Sequence, residues 1–329
     1  MPFHEVDPWR LQYFAAVDCP PDVHIPTEDS DAWLWNPAHR WVYDKLRVAE
    51  SQGLEAAPHG VVPQHFPVFS KPIVNLHGMG AGSRTIQDLA DYERSKTAGH
   101  FWTTLLAGEH VSSDAALLDG KPVWWRHAKG YALNDGTFDY WHVEAGARAD
   151  LEAYCNGWAR QNLAGYTGLI NLETIGGRII ELHLRFADQW PDLYGAGWCE
   201  AAVELYRHGI WRFADSDRRD GYSVVLFGAH GPRWRHPPAG EVEEAGRAAG
   251  ATSVQITFHE DKPADRHAMP PGGFRLAILN GHDLERLRQG RRRLAEWFKQ
   301  NCGPTILPSV TPPSTGEAGG KGARAGDDR

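Results

Sequence analysis

The sequence predicts an α+β fold whose strands run mainly antiparallel. Two glycine turns carry most of that reading: Asp119-Gly120 interrupts the apolar stretch 110–132, and Gly176-Gly177 interrupts 168–185. Such pairs supply the positive φ that a two-residue hairpin needs. The third observation is the order of segments. Helix-periodic stretches do not follow each strand in turn, so a repeated βαβ pattern and its parallel sheet are excluded.

The elements follow in order. Residues 1–40 are rich in Pro and Asp and read as irregular. A helix is expected over 37–51, carrying Trp41, Val42, Leu46 and Val48. Strands are expected over 59–63 and 66–74, with Pro72 marking an edge or a bulge. A glycine-rich loop fills 75–83, and a polar helix capped by Ser83 runs to Lys96. A strand over 100–106, the 110–132 hairpin and a strand over 136–145 come next. A helix over 149–165 gathers Leu151, Tyr154, Cys155 and Trp158 on one face. After the 168–185 hairpin come a helix over 198–208, strands over 222–230 and 274–281, and a helix over 283–298. From Gly303 onward Pro, Gly, Ser and charged residues leave too little apolar surface to offset ordering, so this tail is expected to be disordered.

Composition narrows the function classes. The 329 residues carry 34 Lys and Arg against 42 Asp and Glu, a net charge of −8, which argues against a nucleic-acid protein with a broad basic face. No apolar run approaches the ~20 residues of a membrane span, and MPFHEVDPWR is no signal peptide. The cysteines at 19, 155, 199 and 302 are scattered, which suits a reducing cytoplasm.

Three features carry chemistry. Lys71 precedes the loop Asn75-Leu76-His77-Gly78-Met79-Gly80-Ala81-Gly82-Ser83, and Lys45 sits on the preceding helix. Backbone amides freed by glycine can approach phosphate oxygens, although such a loop is also compatible with a plain turn. Next, Gly108-Glu109-His110-Val111-Ser112-Ser113-Asp114 is followed by a strand bearing Arg126 and Lys129. These could line one cleft or be the exposed positions of half-buried strands. Finally, Glu173 faces the arm Glu181-Leu182-His183-Leu184-Arg185 across Gly176-Gly177. Strand carboxylates suit Mg²⁺, and an arginine beside them suits a phosphoryl group; a salt-bridged surface remains the other reading. In an ideal two-residue hairpin Glu173 pairs with Ile180, which leaves Glu173 and Glu181 on opposite faces unless a bulge intervenes. Trp124, Trp125, Tyr140 and Trp141, with Arg126, His127 and His142, could form a substrate pocket; alternation along the strands assigns half of them to the core.

The order of these motifs resembles the ATP-grasp superfamily, of the biotin-carboxylase and D-alanine-ligase type. The resemblance spans 41–215, and 222–298 looks like the closing strand–helix unit of its biotin-carboxylase-like members. It implies two α+β lobes clasping ATP, a small lobe over 41–106 and a large lobe over 107–300, with 1–40 a reduced leading region and 301–329 a tail. In that frame Lys45 and Lys71 match the ATP-phosphate lysines. Asn75, His77, Gly78, Gly80, Gly82 and Ser83 match the loop over the phosphates. Thr103, Thr104 and Leu105 fall at the adenine-contacting hinge, and His110 stands beside the nucleotide. Glu173 and Glu181 match Mg²⁺ ligands. His183 stands where the family has a metal-binding asparagine, which favours softer ions such as Mn²⁺. Arg185 matches the arginine that follows this asparagine, and Arg126 and Lys129 fall where family members often steer the acyl phosphate. The hairpin is about four residues shorter than usual in the family, and only 44 residues precede Lys45. The implied reaction activates a carboxylate as an acyl phosphate for attack by an amine, releasing ADP. Its substrates would be small molecules such as an amino acid or peptide, with no nucleic acid or membrane partner. Family members are often dimers, so a homodimer is one open arrangement. A non-catalytic ATP-binding protein and phosphoryl transfer to a non-carboxylate acceptor are the alternatives.

Overall fold

The computed structural model describes residues 3–18, 20–76 and 78–308. The chain opens with β1 (Phe3–His4), β2 (Ile25–Pro26) and α1 (Asp29–Trp35). Then come α2 (Lys45–Glu50), β3 (Ala56–Pro58), β4 (Val68–Pro72), β5 (Arg84–Ile86), α3 (Leu89–Ser95) and β6 (His100–Thr104). They are followed by β7 (His110–Leu118), β8 (Lys121–Ala132), β9 (Phe138–Val143), α4 (Ala149–Asn162), β10 (Gly168–Ile175), β11 (Arg178–His183) and α5 (Trp198–His208). The chain closes with β12 (Gly221–Gly228), α6 (Ala239–Ala249), β13 (Ser253–Ile256), β14 (Phe274–Gly281), α7 (Leu284–Asn301) and β15 (Thr305–Ile306).

Two antiparallel sheets dominate. The smaller has four strands in the order β3-β6-β4-β5. The larger has nine: β11-β10-β7-β8-β9-β12-β14-β13, with β15 added to β12. The period-two alternation of strands sorts the larger sheet's side chains to two faces. One face places Ala115, Leu117, Trp125, Ile170 and Leu172 against Cys155, Trp158 and Ala159 of α4. The other buries Ala116, Trp124, Trp141 and Leu169 under Trp198, Ala202 and Leu205 of α5, together with Phe3, Phe14 and Ile25. Among the described residues, no helix is long and apolar enough to cross a membrane.

Several expected elements are shifted by local capping. The helix over 37–51 is broken at Asp44, whose extended backbone and carboxylate, accepting the Arg47 N–H at 3.0 Å, start α2 afresh. The helix expected from Ser83 begins only after Asp88, which caps Asp91 at 2.8 Å. The residues between form β5, so β4 is an inner strand and tolerates Pro72 only as its last residue. The strand expected over 59–63 is replaced by β3 just upstream, which pairs with β6. Residues 1–40 are not uniformly irregular, since Phe3, Phe14 and Ile25 are core residues. Thr305–Ile306 of the expected tail pairs with Phe227 and Gly228; 309–329 lie outside the described residues. α6 and β13 were not expected from the sequence; the buried residues of α6 are the small Ala245, Gly246 and Ala249.

The hairpin β10–β11 contains the needed irregularity. Thr174 pairs with Ile179, but Glu173 pairs with Glu181, so Ile180 is the extra residue of a β-bulge. The bulge restores both glutamates to one face. Gly176 (φ 56°) and Gly177 (φ 78°) close the turn. A Cβ on Gly176 would lie 2.2 Å from the Ala107 carbonyl oxygen, a backbone atom with no freedom to retreat. Gly176→Ala is therefore expected to destabilise the protein by about 1–3 kcal/mol, read as a lower thermal midpoint. An unchanged midpoint would contradict the turn geometry.

Candidate functional site

The polar residues of both sheets converge on a cleft of about 900 Å³. Lys45 and Lys71 meet there because the Lys45 N–H at the start of α2 donates to the Ile73 carbonyl, 2.9 Å away just past β4. Both lysines are 7% exposed. Lys45 Nζ pairs with Glu181 Oε1 at 2.6 Å, while Lys71 Nζ donates to the carbonyl of Ile180, the bulge residue, at 2.7 Å. Burial, aided by the neighbouring Lys45 charge, lowers the Lys71 ammonium to about 8 despite Glu181 and Glu173.

Glu173 and Glu181 are direct cross-strand neighbours that reach to different cations. His110 Nε2 lies 2.9 Å from Glu173 Oε2. Burial alone would raise the Glu173 carboxyl, but the His110 hydrogen bond and the charges of His110, His183 and Lys45 hold it below the usual carboxylate range. Burial alone would lower His110; Glu173 and Glu181 reverse that and raise it. His183 Nε2 stands 3.6 Å from Glu181 Oε1. The ligand atoms of Glu173, Glu181 and His183 do not gather within 4.8 Å as a trio.

Asp29 of α1 organises the other side, and the sequence reading did not single it out. His183 Nδ1 lies 3.0 Å from each of its oxygens. Arg185 grips the same carboxylate with Nε at 3.1 Å and a terminal nitrogen at 3.1 Å, and the Tyr43 hydroxyl donates to it at 3.1 Å. Burial pushes the Asp29 carboxyl up, yet Arg185 and His183 hold it well below the ordinary range. Nothing in the acidic stretch Glu28-Asp29-Ser30-Asp31 sets Asp29 apart by type, since acids at helix starts are common.

The remaining expected residues divide. Asn75, Gly78, Gly80 and Ser83 line the cleft, as do Thr103, Thr104 and Leu105. Gly82 is not part of the lining and faces His100 and Pro72, and His77 lies outside the described residues. Arg126 and Lys129, expected beside the acyl phosphate, do not line the cleft. Three residues apart on β8, they point to opposite faces. Arg126 sits opposite Asp114 but is sealed at 1% exposure, donating to the Arg219 carbonyl at 2.6 Å and standing 3.5 Å from Asp215. Lys129 pairs with Glu109 away from the cleft. Asp114 is buried below the site, accepting from Tyr194 at 2.6 Å, Asn171 at 2.7 Å and the Ala187 N–H at 2.9 Å; burial pushes it up to about 6. Of the expected aromatic pocket, Trp141 borders the cleft, whereas Trp124 and Trp125 belong to the two cores.

No protein-family model matches the chain, and no curated protein matches it in sequence. Solved structures do match in fold. Phosphoribosylamine–glycine ligase from Thermotoga maritima superposes with a TM-score of 0.57 at 16% identity, over 87% of this chain and 85% of that one. L-amino acid ligase from Bacillus licheniformis does so with a TM-score of 0.51 at 10% identity, over 80% and 71%. The biotin carboxylase domain of Hydrogenobacter thermophilus 2-oxoglutarate carboxylase, in complex with MgADP and bicarbonate, gives 0.51 at 12%, over 74% and 62%. The chain has an ATP-grasp fold. The cleft lies where the small sheet meets the β7–β10–β11 edge of the large one, and Lys71 of β4 bonds across it to Ile180 of β11.

Proposed function

We propose that this chain is an ATP-dependent ligase that activates a carboxylate as an acyl phosphate for attack by an amine, releasing ADP and phosphate. The observation that carries the reading is the convergence of two buried lysines and two cross-strand glutamates on one cleft, with Lys45 paired to Glu181. Lys45 and Lys71 would hold the ATP phosphates, and the Asn75–Ser83 loop would cover them. Thr103, Thr104 and Leu105 would receive the adenine.

Glu173, Glu181 and His183 Nε2 offer the oxygen and imidazole donors of a divalent ion, Mg²⁺ or Mn²⁺, and would draw together to hold it, since their ligand atoms do not all lie within 4.8 Å of one another. With Nδ1 held by Asp29, the His183 ring presents Nε2 towards Glu181, the arrangement by which a carboxylate orients a ligating histidine. Bound there, the ion would neutralise phosphate charge. Lys45 and His110 serve as counter-ions to the same carboxylates without it. Catalysis of this type needs positioning and charge stabilisation and little covalent help from the protein. Arg185, already clamped by Asp29, would act as a fixed positive wall.

The test is release of ADP and phosphate in the presence of a divalent ion and a carboxylate–amine panel. ATP binding without turnover across the panel would favour a non-catalytic nucleotide-binding protein, and AMP release would point to a dikinase-like transfer. A second expectation concerns pH. Phosphate binding needs the charged form of Lys71, so affinity for ATP should fall as pH rises through about 8. Lys71→Arg should flatten that fall, because a guanidinium stays protonated. Titrations by calorimetry at pH 7 and 9 measure both.

A further inference from the structure

Five strands separate β14 from β11 in the large sheet, yet residues of both line the same cleft. Arg275 of β14 lines it beside Val225 and Phe227 of β12, both buried and apolar, and Phe227 is its cross-strand neighbour. The Arg275 Nε is buried with no hydrogen-bond partner. Asp7, Glu28 and Asp188 line the same end, but Arg10 takes all three, at 3.3, 2.8 and 2.6 Å, and the His259 ring stands 3.4 Å from Asp7. Among the described residues, no carboxylate comes within ion-pair distance of Arg275. Burial, with the like charge of Arg10, lowers the Arg275 guanidinium to about 10, although Asp188, Asp7 and Glu28 pull it up. A buried guanidinium left unpaired costs the empty protein free energy, and an acceptor from outside the chain relieves that cost. Arg275 also stands apart from the phosphate lysines. The charges acting on it are Arg10, Asp188, Asp7 and Glu28; those acting on Lys71 are Lys45, Glu181 and Glu173. A carboxylate that reacts with ATP must sit near the lysines, so a ligand group on Arg275 is a different one.

We propose that Arg275 anchors a subsite for a second, non-reacting anionic group of a substrate, a carboxylate or a phosphate monoester. The proposal deepens the ligase reading and rests on it for the identity of the reaction. The planar fork of a guanidinium matches two oxygens of either group. Val225 and Phe227 keep water from the pair, which strengthens it. Arg10, by neutralising Asp7, Glu28 and Asp188, removes much of the repulsion those acids would exert on an incoming anion. The β13–β14 connection adds the exposed Lys262 and Arg266 to the cleft lining, and with them more positive charge. The substrate class is then a dicarboxylic acid, an amino acid whose carboxylate is not the one activated, or a small phosphorylated molecule.

Calorimetric titration of the full chain tests this with matched probes: glutarate against pentanoate, adipate against hexanoate, and glycerol 3-phosphate against glycerol. The member with the extra anionic group should bind about tenfold tighter or better in the carboxylate pairs or in the phosphate pair, and the pair that discriminates names the group. Arg275→Gln should remove that advantage. It should also leave the thermal midpoint of the empty protein level or higher, because it deletes an unpaired buried charge. A clear fall in that midpoint would make Arg275 a structural counter-ion of the neighbouring acids and overturn the proposal. Equal binding within all three pairs of the wild-type protein overturns it too, as does an advantage that survives Arg275→Gln and so belongs to Lys45 and Lys71. ATP is titrated alongside. ATP binding without discrimination within the pairs sinks the subsite alone, and discrimination without ATP binding sinks the ligase reading alone.

Discussion

Glu181→Ala should lower divalent-dependent ATP turnover by about 10²–10³-fold, the usual cost of removing one preorganised electrostatic group from a transition state. Glu181 occupies two roles in the cleft: it is Lys45's counter-ion at 2.6 Å and the carboxylate beside His183 Nε2 at 3.6 Å. Its loss frees Lys45 for phosphate while removing an oxygen donor for the ion. ATP affinity measured without a divalent ion should therefore hold or rise, and the metal concentration giving half-maximal turnover should climb. That split separates a lost ligand from a damaged fold. Turnover indistinguishable from wild type would end the assignment of Glu181, and with it the metal reading of the hairpin.

Asp29→Ala should destabilise the fold by about 3–5 kcal/mol, because it strands a buried guanidinium and a buried imidazole together. Arg185, His183 and Tyr43 all converge on this one carboxylate. Asp29→Asn keeps the shape and should recover part of the stability, with metal affinity still reduced roughly 10–100-fold through the misdirected His183 ring. Thermal unfolding and metal titration read the two effects separately. A midpoint for Asp29→Ala equal to wild type would show that Arg185 and His183 need no partner.

The β7–β8 and β10–β11 hairpins were legible because Asp119-Gly120 and Gly176-Gly177 fix register through positive φ at each residue, a local property. The pairing of Glu173 with Glu181 was legible only as a requirement: the alternation of faces demanded a bulge, and the structure places it at Ile180. Arg126 marks the limit of what strand parity encodes. Strand parity places it on the same face as Asp114, but depth along that face depends on Leu193, Tyr194 and Arg219, whose position no local pattern encodes. Asp29 escaped for the same reason, since its partners lie in β11 and just beyond. The helix break at Asp44 was readable in principle, as an acid three residues before a backbone N–H that needs a cap.

The Asp29–His183 bond spans 154 residues, and Tyr13 meets Asn280 across 267. During synthesis the first thirty-odd residues thus emerge with their partners still untranslated. Loop closure over such distances is slow relative to local contacts, so the two hairpins can form well before the segment that completes their cleft docks onto them. Assembly of the site is then among the last events of folding. A ligand that binds the finished cleft would act on the whole molecule as a clasp, pulling the final docking step towards the native state by mass action.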